Sequence, residues 1–168
     1  MKTKKVCIVT GGISGLGLAA IKFLLAKDIF IIATTSSKDF FLQQTNLSHK
    51  NLKVIPITCF EDKSIAVFVN NVVNEYGQID MLINNEGDEA CNAVAAISYS
   101  KLAITMAKHV LPVMKNASCG HVFFVSFLPT AKHENQKLVE EFIATCKAET
   151  GCVNIQFTVI EQSKTSIL

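Results

Sequence analysis

Eight residues near the start of the chain, Thr10-Gly11-Gly12-Ile13-Ser14-Gly15-Leu16-Gly17, restrict its folding more than any others. They stand between a short apolar run, Val6 to Thr10, and a segment from Gly15 to Lys27 that carries Leu16, Ala20, Ile21, Leu24 and Leu25 on one helical face. A strand that turns at once into a helix needs positions without a Cβ. Gly11 permits a tight turn at positive φ, Gly15 lets another group approach the backbone, and Gly17 lets the helix lie close to the sheet. The free N–H groups and positive dipole end of such a helix attract phosphate. A glycine-rich octet alone is a weak signal. Between a buried strand and an amphipathic helix it predicts the phosphate-binding turn of a dinucleotide fold, with Thr10, Gly11, Ser14, Gly15, Leu16 and Gly17 around the ligand.

The rest of the sequence continues the alternation. Ile29 to Thr34 reads as a second buried strand, followed by a polar segment with a short helix, then Leu52 to Thr58 as a third strand. Glu61 and Asp62 open a helix that runs to Tyr76 and stops at Gly77, acids suiting the positive helix end and glycine its terminus. Met81 to Asn84 is a fourth strand, Ala93 to Met114 a long helix, His121 to Ser126 a fifth strand, Glu134 to Thr150 a helix, and Asn154 to Ile160 a sixth strand. Strands alternating with helices imply an α/β fold: a Rossmann-type, doubly wound parallel sheet of about six strands in three layers. No repeat or Pro/Gly linker divides the chain, so residues 1–168 are expected to form a single dinucleotide-binding domain.

Composition narrows the function classes. With 49% apolar and 18% charged residues, the chain can bury a large core. A net charge of +2, carried on scattered lysines and without tryptophan, argues against nucleic-acid binding. The lysines before Val6-Cys7-Ile8-Val9 imitate a signal peptide, but the apolar run breaks at Thr10-Gly11-Gly12. No segment is apolar for long enough to span a bilayer. The six cysteines include no Cys-x-x-Cys pair and mostly sit in apolar runs, so reduced thiols, a cytoplasmic setting and no metal site are expected.

The end of the second strand bears on the choice of cofactor. Domains that prefer NAD place an acid there for the ribose 2′-hydroxyl. This chain has Thr35-Ser36-Ser37-Lys38, where hydroxyls and a lysine can hold a 2′-phosphate. The expectation is therefore NADP(H) in preference to NAD(H), with Thr35 and Ser36 in contact.

The glycine turn, Asn84-Asn85-Glu86-Gly87, Tyr76-Gly77-Gln78-Ile79-Asp80-Met81-Leu82-Ile83, Leu111-Pro112-Val113-Met114 and Gly120-His121-Val122-Phe123-Phe124-Val125-Ser126 together resemble the short-chain dehydrogenase/reductase family over residues 4–160. The resemblance implies that Asn84 braces the strand end near the adenosine and that Gly87 lets backbone pass close to the cofactor. Glu86 stands where the family has alanine, Thr58 where an aspartate is common, and Ser14 where NADP users often carry a basic side chain.

Active members use a tyrosine as general acid/base, a lysine four residues on, a serine and an asparagine. Here Phe127 takes the serine position next to Ser126, and Tyr99 the asparagine position. No Tyr-x-x-x-Lys exists; the helix alignment sets His133 and Lys137 at those places, one turn apart. Pairing Lys147 with Ile143 offers no acid. The stretch after Gly87 and the loop before His133 are shorter than in the family, and the usual C-terminal substrate segment does not follow the sixth strand. Three readings stand: a dinucleotide-binding relative with impaired or absent hydride transfer, an NADP(H)-dependent carbonyl/alcohol oxidoreductase with His133 as acid, Lys137 as ribose anchor and Ser126 orienting substrate, or a shortened product that keeps only the fold. The family also implies a homodimer through the two long later helices, with Leu102, Met106, Leu138 and Phe142 available for that contact or for the core alone.

Overall fold

The computed structural model describes residues 4–12, 15–35, 37–57, 61–85, 93–127, 132–149 and 154–162. In chain order the elements are β1 (Val6–Thr10), α1 (Gly15–Ala26), β2 (Phe30–Thr35), α2 (Lys38–Thr45), β3 (Leu52–Pro56), α3 (Asp62–Tyr76), β4 (Met81–Asn85), α4 (Ala93–Asn116), β5 (Gly120–Phe127), α5 (Lys132–Ala148) and β6 (Ile155–Gln162). All five ladders are parallel, in the order β3-β2-β1-β4-β5-β6. This is the expected Rossmann-type sheet.

Strand alternation divides the core between the two sheet faces. Cys7, Val9, Ile31 and Ala33 face the layer of α1 and α2, with Ile21, Leu24, Leu25 and Phe41. Val6, Ile8, Ile32, Leu82 and Val122 face α3, α4 and α5, with Ile65, Val69, Met106, Val110 and Ile143. Because both faces are covered, β1 is apolar throughout and buried at every residue. The short helix α2 is capped by the Ser37 hydroxyl, which accepts from Phe40 N at 3.3 Å. It is anchored by fully buried Phe41, whose truncation to alanine would cost about 3–5 kcal/mol. At α3 the apolar spacing Ile65, Phe68, Val69, Val72 meets the sheet, and Gly77 closes the helix at φ +77°.

The starting ends of three strands meet at Asp80. Its carboxylate accepts from Val6 N at 2.7 Å and Gln78 Nε2 at 2.9 Å, and its carbonyl accepts from His121 N at 3.0 Å. The register that follows sets Thr10 beside Asn84 at the opposite end. There the chain, having moved outward from β1 to β3, returns to β4 on the other side of β1. The reversal opens a crevice at the carboxyl ends of β1 and β4, where α/β sheets bind ligands.

Of the residues available for a helix-mediated dimer, Met106 is buried in the chain's own core, and Leu102 and Phe142 pack against it. Leu138 alone of the four is substantially exposed, at 38%.

Candidate dinucleotide site

The glycine turn leaves β1 at Thr10, beside the end of β4. Gly11 takes φ +61° and Gly15 φ +56°, both in the left-handed region that favours glycine. Asn85 holds the turn from the side. Its backbone N–H donates to Thr10 Oγ1 at 3.1 Å, and its side-chain Nδ2 donates to the Gly11 carbonyl at 2.8 Å. Contact is close enough to exclude side chains: a Cβ on Gly11 would lie 2.4 Å from Asn85 O, and one on Gly17 2.6 Å from Gly11 O. Gly17 thus packs the helix against the turn and the tip of β4. Gly15, exposed at the first position of α1, leaves the helix start open, and the first turn of α1 carries no acid to compete with an anion. Leu16 packs partly against the α1-side core. Ser14 lies outside the described residues.

Asn84, expected to brace the strand end, is turned toward α4, where its Nδ2 donates to Ala103 O at 3.2 Å. The brace on the phosphate turn is Asn85, which the sequence reasoning passed over. The signal available was a pair of amides ending an otherwise apolar strand. Both asparagines are at most 5% exposed, and the Oδ1 of each has no hydrogen-bond partner among the described residues. A buried acceptor without a partner costs stability that a ligand donor, such as a ribose hydroxyl, would restore.

At the end of β2 the Thr35 hydroxyl is already engaged. Thr35 is 7% exposed; its Oγ1 accepts from Ser37 N at 3.4 Å and donates to Ser37 O at 3.3 Å, so it shapes the turn. Ser37 Oγ accepts from Phe40 N but keeps its own proton free to donate. Lys38 is exposed at the start of α2, and next to it stands exposed Asp39, a carboxylate one residue beyond the stretch considered from sequence. Ser36, Thr58, Glu86 and Gly87 lie outside the described residues.

The catalytic candidates do not assemble into a described site. Ser126 and Phe127 end β5, in register with Glu161 and Gln162, and His133 lies in the first turn of α5. The side chains of these three, and of Tyr99, lie outside the described residues. Lys137 is described: its side chain is 75% exposed and lies 3.8 Å from Glu141 on the same helix face. The core face of α5 is set by Val139, Ile143 and Cys146, and Lys137 lies off that face, exposed to solvent. Among the described residues, no cluster of metal-ligating side chains occurs, and no helix is long and apolar enough to cross a membrane.

Comparison with known proteins agrees with this geometry. The sequence pattern of the family described as short chain dehydrogenase matches residues 5–138. Oxidoreductase BOA17 of Botryotinia fuckeliana is 27% identical over 179 aligned residues, covering 94% of this chain and 64% of that protein. The 3-oxoacyl-(acyl-carrier-protein) reductase FabG of Salmonella typhimurium is 24% identical over 132 residues, covering 72% of this chain and 54% of that protein. The chain therefore spans between about half and two thirds of the length of these relatives. Among solved structures, a short-chain dehydrogenase from Streptomyces avermitilis superposes with a TM-score of 0.78 at 21% identity, covering 95% of this chain and 65% of that one. A metagenomic short-chain oxidoreductase solved in complex with NADP gives 0.77 at 17% identity, covering 95% and 81%. The matched family pattern, covering most of the chain, leads to one conclusion: this chain belongs to the short-chain dehydrogenase/reductase family.

Proposed function

We propose that this chain binds NADP(H) in the crevice between β1 and β4 and that its hydride-transfer activity is impaired or absent. The observation that carries the binding half is the glycine turn held by Asn85, with Gly15 exposed at an acid-free helix start. The residues present fit a pyrophosphate: main-chain donors at a helix N-terminus and space left by glycines. When bound, a nicotinamide dinucleotide supplies or accepts the hydride, and the chain's own residues have to hold it and move the proton. The preference for the 2′-phosphate rests on Ser37 and Lys38 and on the absence of an acid at the strand end itself. Asp39 opposes it, so Asp39→Asn is expected to tighten NADPH binding relative to NADH.

The impaired half rests on what the proton-moving positions contain. Phe127 has no proton to donate, no Tyr-x-x-x-Lys is present, and Lys137 is turned to solvent beside Glu141. A cytoplasmic setting rests on the cysteine spacing, which offers no Cys-x-x-Cys pair.

The test is a fluorescence titration with NADPH and NADH, followed by a turnover assay over a panel of carbonyls and alcohols. NADPH binding tighter than NADH, without turnover, is the expected result. Absence of binding by either nucleotide at millimolar concentration would overturn the binding half. Turnover abolished by His133→Ala would overturn the other and restore histidine as the acid.

A further inference from the structure

Polar groups are unevenly placed along the crevice. In the sheet order, the glycine turn that ends β1 has β2 on one side and β4, then β5, on the other. Groups that suit phosphate stand on the β2 side, one strand or about 5 Å away. Ser37 Oγ keeps its proton free to donate, and exposed Lys38 makes no ion pair among the described residues. At the turn itself the start of α1 is open and carries no acid. Beside it Asn85, 5% exposed, has no partner for Oδ1 among the described residues.

Toward β5 the polar groups are engaged or missing. Asn84 turns its Nδ2 to Ala103 O on α4 at 3.2 Å, and Asn85 turns its Nδ2 to Gly11 O at 2.8 Å. Two strands, or about 10 Å, separate β5 from β1. That strand ends in Val125-Ser126-Phe127, with no amide, acid or cation. On α5, Lys137 is exposed and off the core face, 3.8 Å from Glu141.

A nicotinamide dinucleotide divides in the same way. With its pyrophosphate at the turn and its 2′-phosphate at Ser37 and Lys38, the adenosine half points toward β2 and the nicotinamide half toward β5. The adenosine half then meets charge-assisted hydrogen bonds, the stronger kind. The nicotinamide half, a neutral or cationic ring on a ribose, meets no unengaged amide or cation among the described residues, so that side of the crevice does not fit it. Resting on the reading that this crevice binds a nicotinamide dinucleotide, we propose that it recognises the ligand by its adenosine-phosphate half alone. The site is then one for adenine nucleotides phosphorylated on the ribose 2′-oxygen, of which NADP(H) is one, and the nicotinamide end adds no affinity in either redox state.

The full chain is titrated by calorimetry with 2′-phospho-ADP, NADP+, NADPH and nicotinamide mononucleotide. Both dinucleotides are expected to bind no more than about fivefold tighter than 2′-phospho-ADP, and within about fivefold of each other. The mononucleotide is expected neither to bind at millimolar concentration nor to displace 2′-phospho-ADP. Lys38→Ala is expected to weaken 2′-phospho-ADP and NADPH by the same factor, about tenfold. Lys137→Ala is expected to leave both within about fivefold of wild type. Circular dichroism establishes that each variant is folded. A dinucleotide that binds more than about fivefold tighter than 2′-phospho-ADP overturns the proposal. So does displacement by the mononucleotide, or a loss in Lys137→Ala confined to NADPH. If the dinucleotides bind and 2′-phospho-ADP does not, this inference alone fails; if no nucleotide binds, the dinucleotide reading fails with it.

Discussion

Replacing Gly17 by alanine tests whether the turn is shaped by contact or merely by glycine's flexibility. The added methyl would lie 2.6 Å from Gly11 O and 2.8 Å from Asn85 Nδ2. Neither neighbour can yield freely. Gly11 O is main chain in a positive-φ turn, and Nδ2 is bonded to that same oxygen at 2.8 Å. Forcing a methyl into such a space costs about 1–3 kcal/mol. Displacing the buried Asn85 amide from its acceptor adds about 1–3 kcal/mol. Alanine's better helix propensity returns at most about 1 kcal/mol. A net loss of about 3 kcal/mol follows, and for a chain of this length Tm should fall by about 6–12 °C. Dinucleotide affinity should fall further than stability predicts, since the donors that face phosphate move with the turn. Thermal denaturation followed by circular dichroism and a nucleotide titration on the folded variant measure both. Gly77→Ala is the control: it sits at φ +77° with nothing within 4 Å of the added Cβ. It should lose about 1–2 kcal/mol from left-handed strain and leave affinity unchanged. If Gly17→Ala melts within about 2 °C of wild type and binds nucleotide normally, the contact argument is wrong.

Other consequences can be measured alongside. Asn85→Ala removes the bond to Gly11 and should weaken nucleotide binding by roughly tenfold while lowering stability by about 1–2 kcal/mol, read by titration and urea unfolding. Hydrogen bonds from Lys4 and then Asn51 hold the Asp28 carboxyl below its usual range, and bonds from Lys53 and then Tyr76 do the same for Glu75. A lowered carboxylate stabilises the fold above its unfolded-state pKa, and that share is lost as pH falls through the folded value. Asp28→Asn combined with Glu75→Gln should therefore flatten the acid limb of a stability-versus-pH curve obtained by urea unfolding. Burial, and secondarily Asp80, pushes the Cys7 thiol far above its usual range, whereas Cys119 is exposed. Peptide mapping after brief alkylation should find Cys119 modified in the native protein and Cys7 only after unfolding.

The strands and the turn could be read from sequence because their signals are local. A parallel strand buried on both faces is a continuous apolar run, so β1 falls at Val6–Thr10 as expected and the other strands differ by one or two residues at their ends. The features that were missed depend on distance or phase. Asn85 reaches Gly11 across 74 positions, a contact fixed by the register of β1 on β4. Thr35 stands at the strand end where the sequence points to the ribose contact, while the bonds of its hydroxyl to Ser37 depend on the local turn, which residue order alone does not show. The exposure of Lys137 is legible in the sequence, because the helical phase of Val139, Phe142, Ile143 and Cys146 sets it off the core face.

The bond between Asn85 and Gly11 makes the phosphate turn a non-modular object. Its amino acids lie in one short stretch, but its shape is completed by a residue from the other half of the chain, carried on a strand whose opposite end is fastened through Asp80. A transplant of residues 6–26 into another scaffold would carry the glycines without the brace. A fragment ending before β4 would keep the motif and lose the cradle. Recombination, circular permutation or splitting of this protein will preserve the proposed nucleotide site only where β1, α1 and β4 are inherited together.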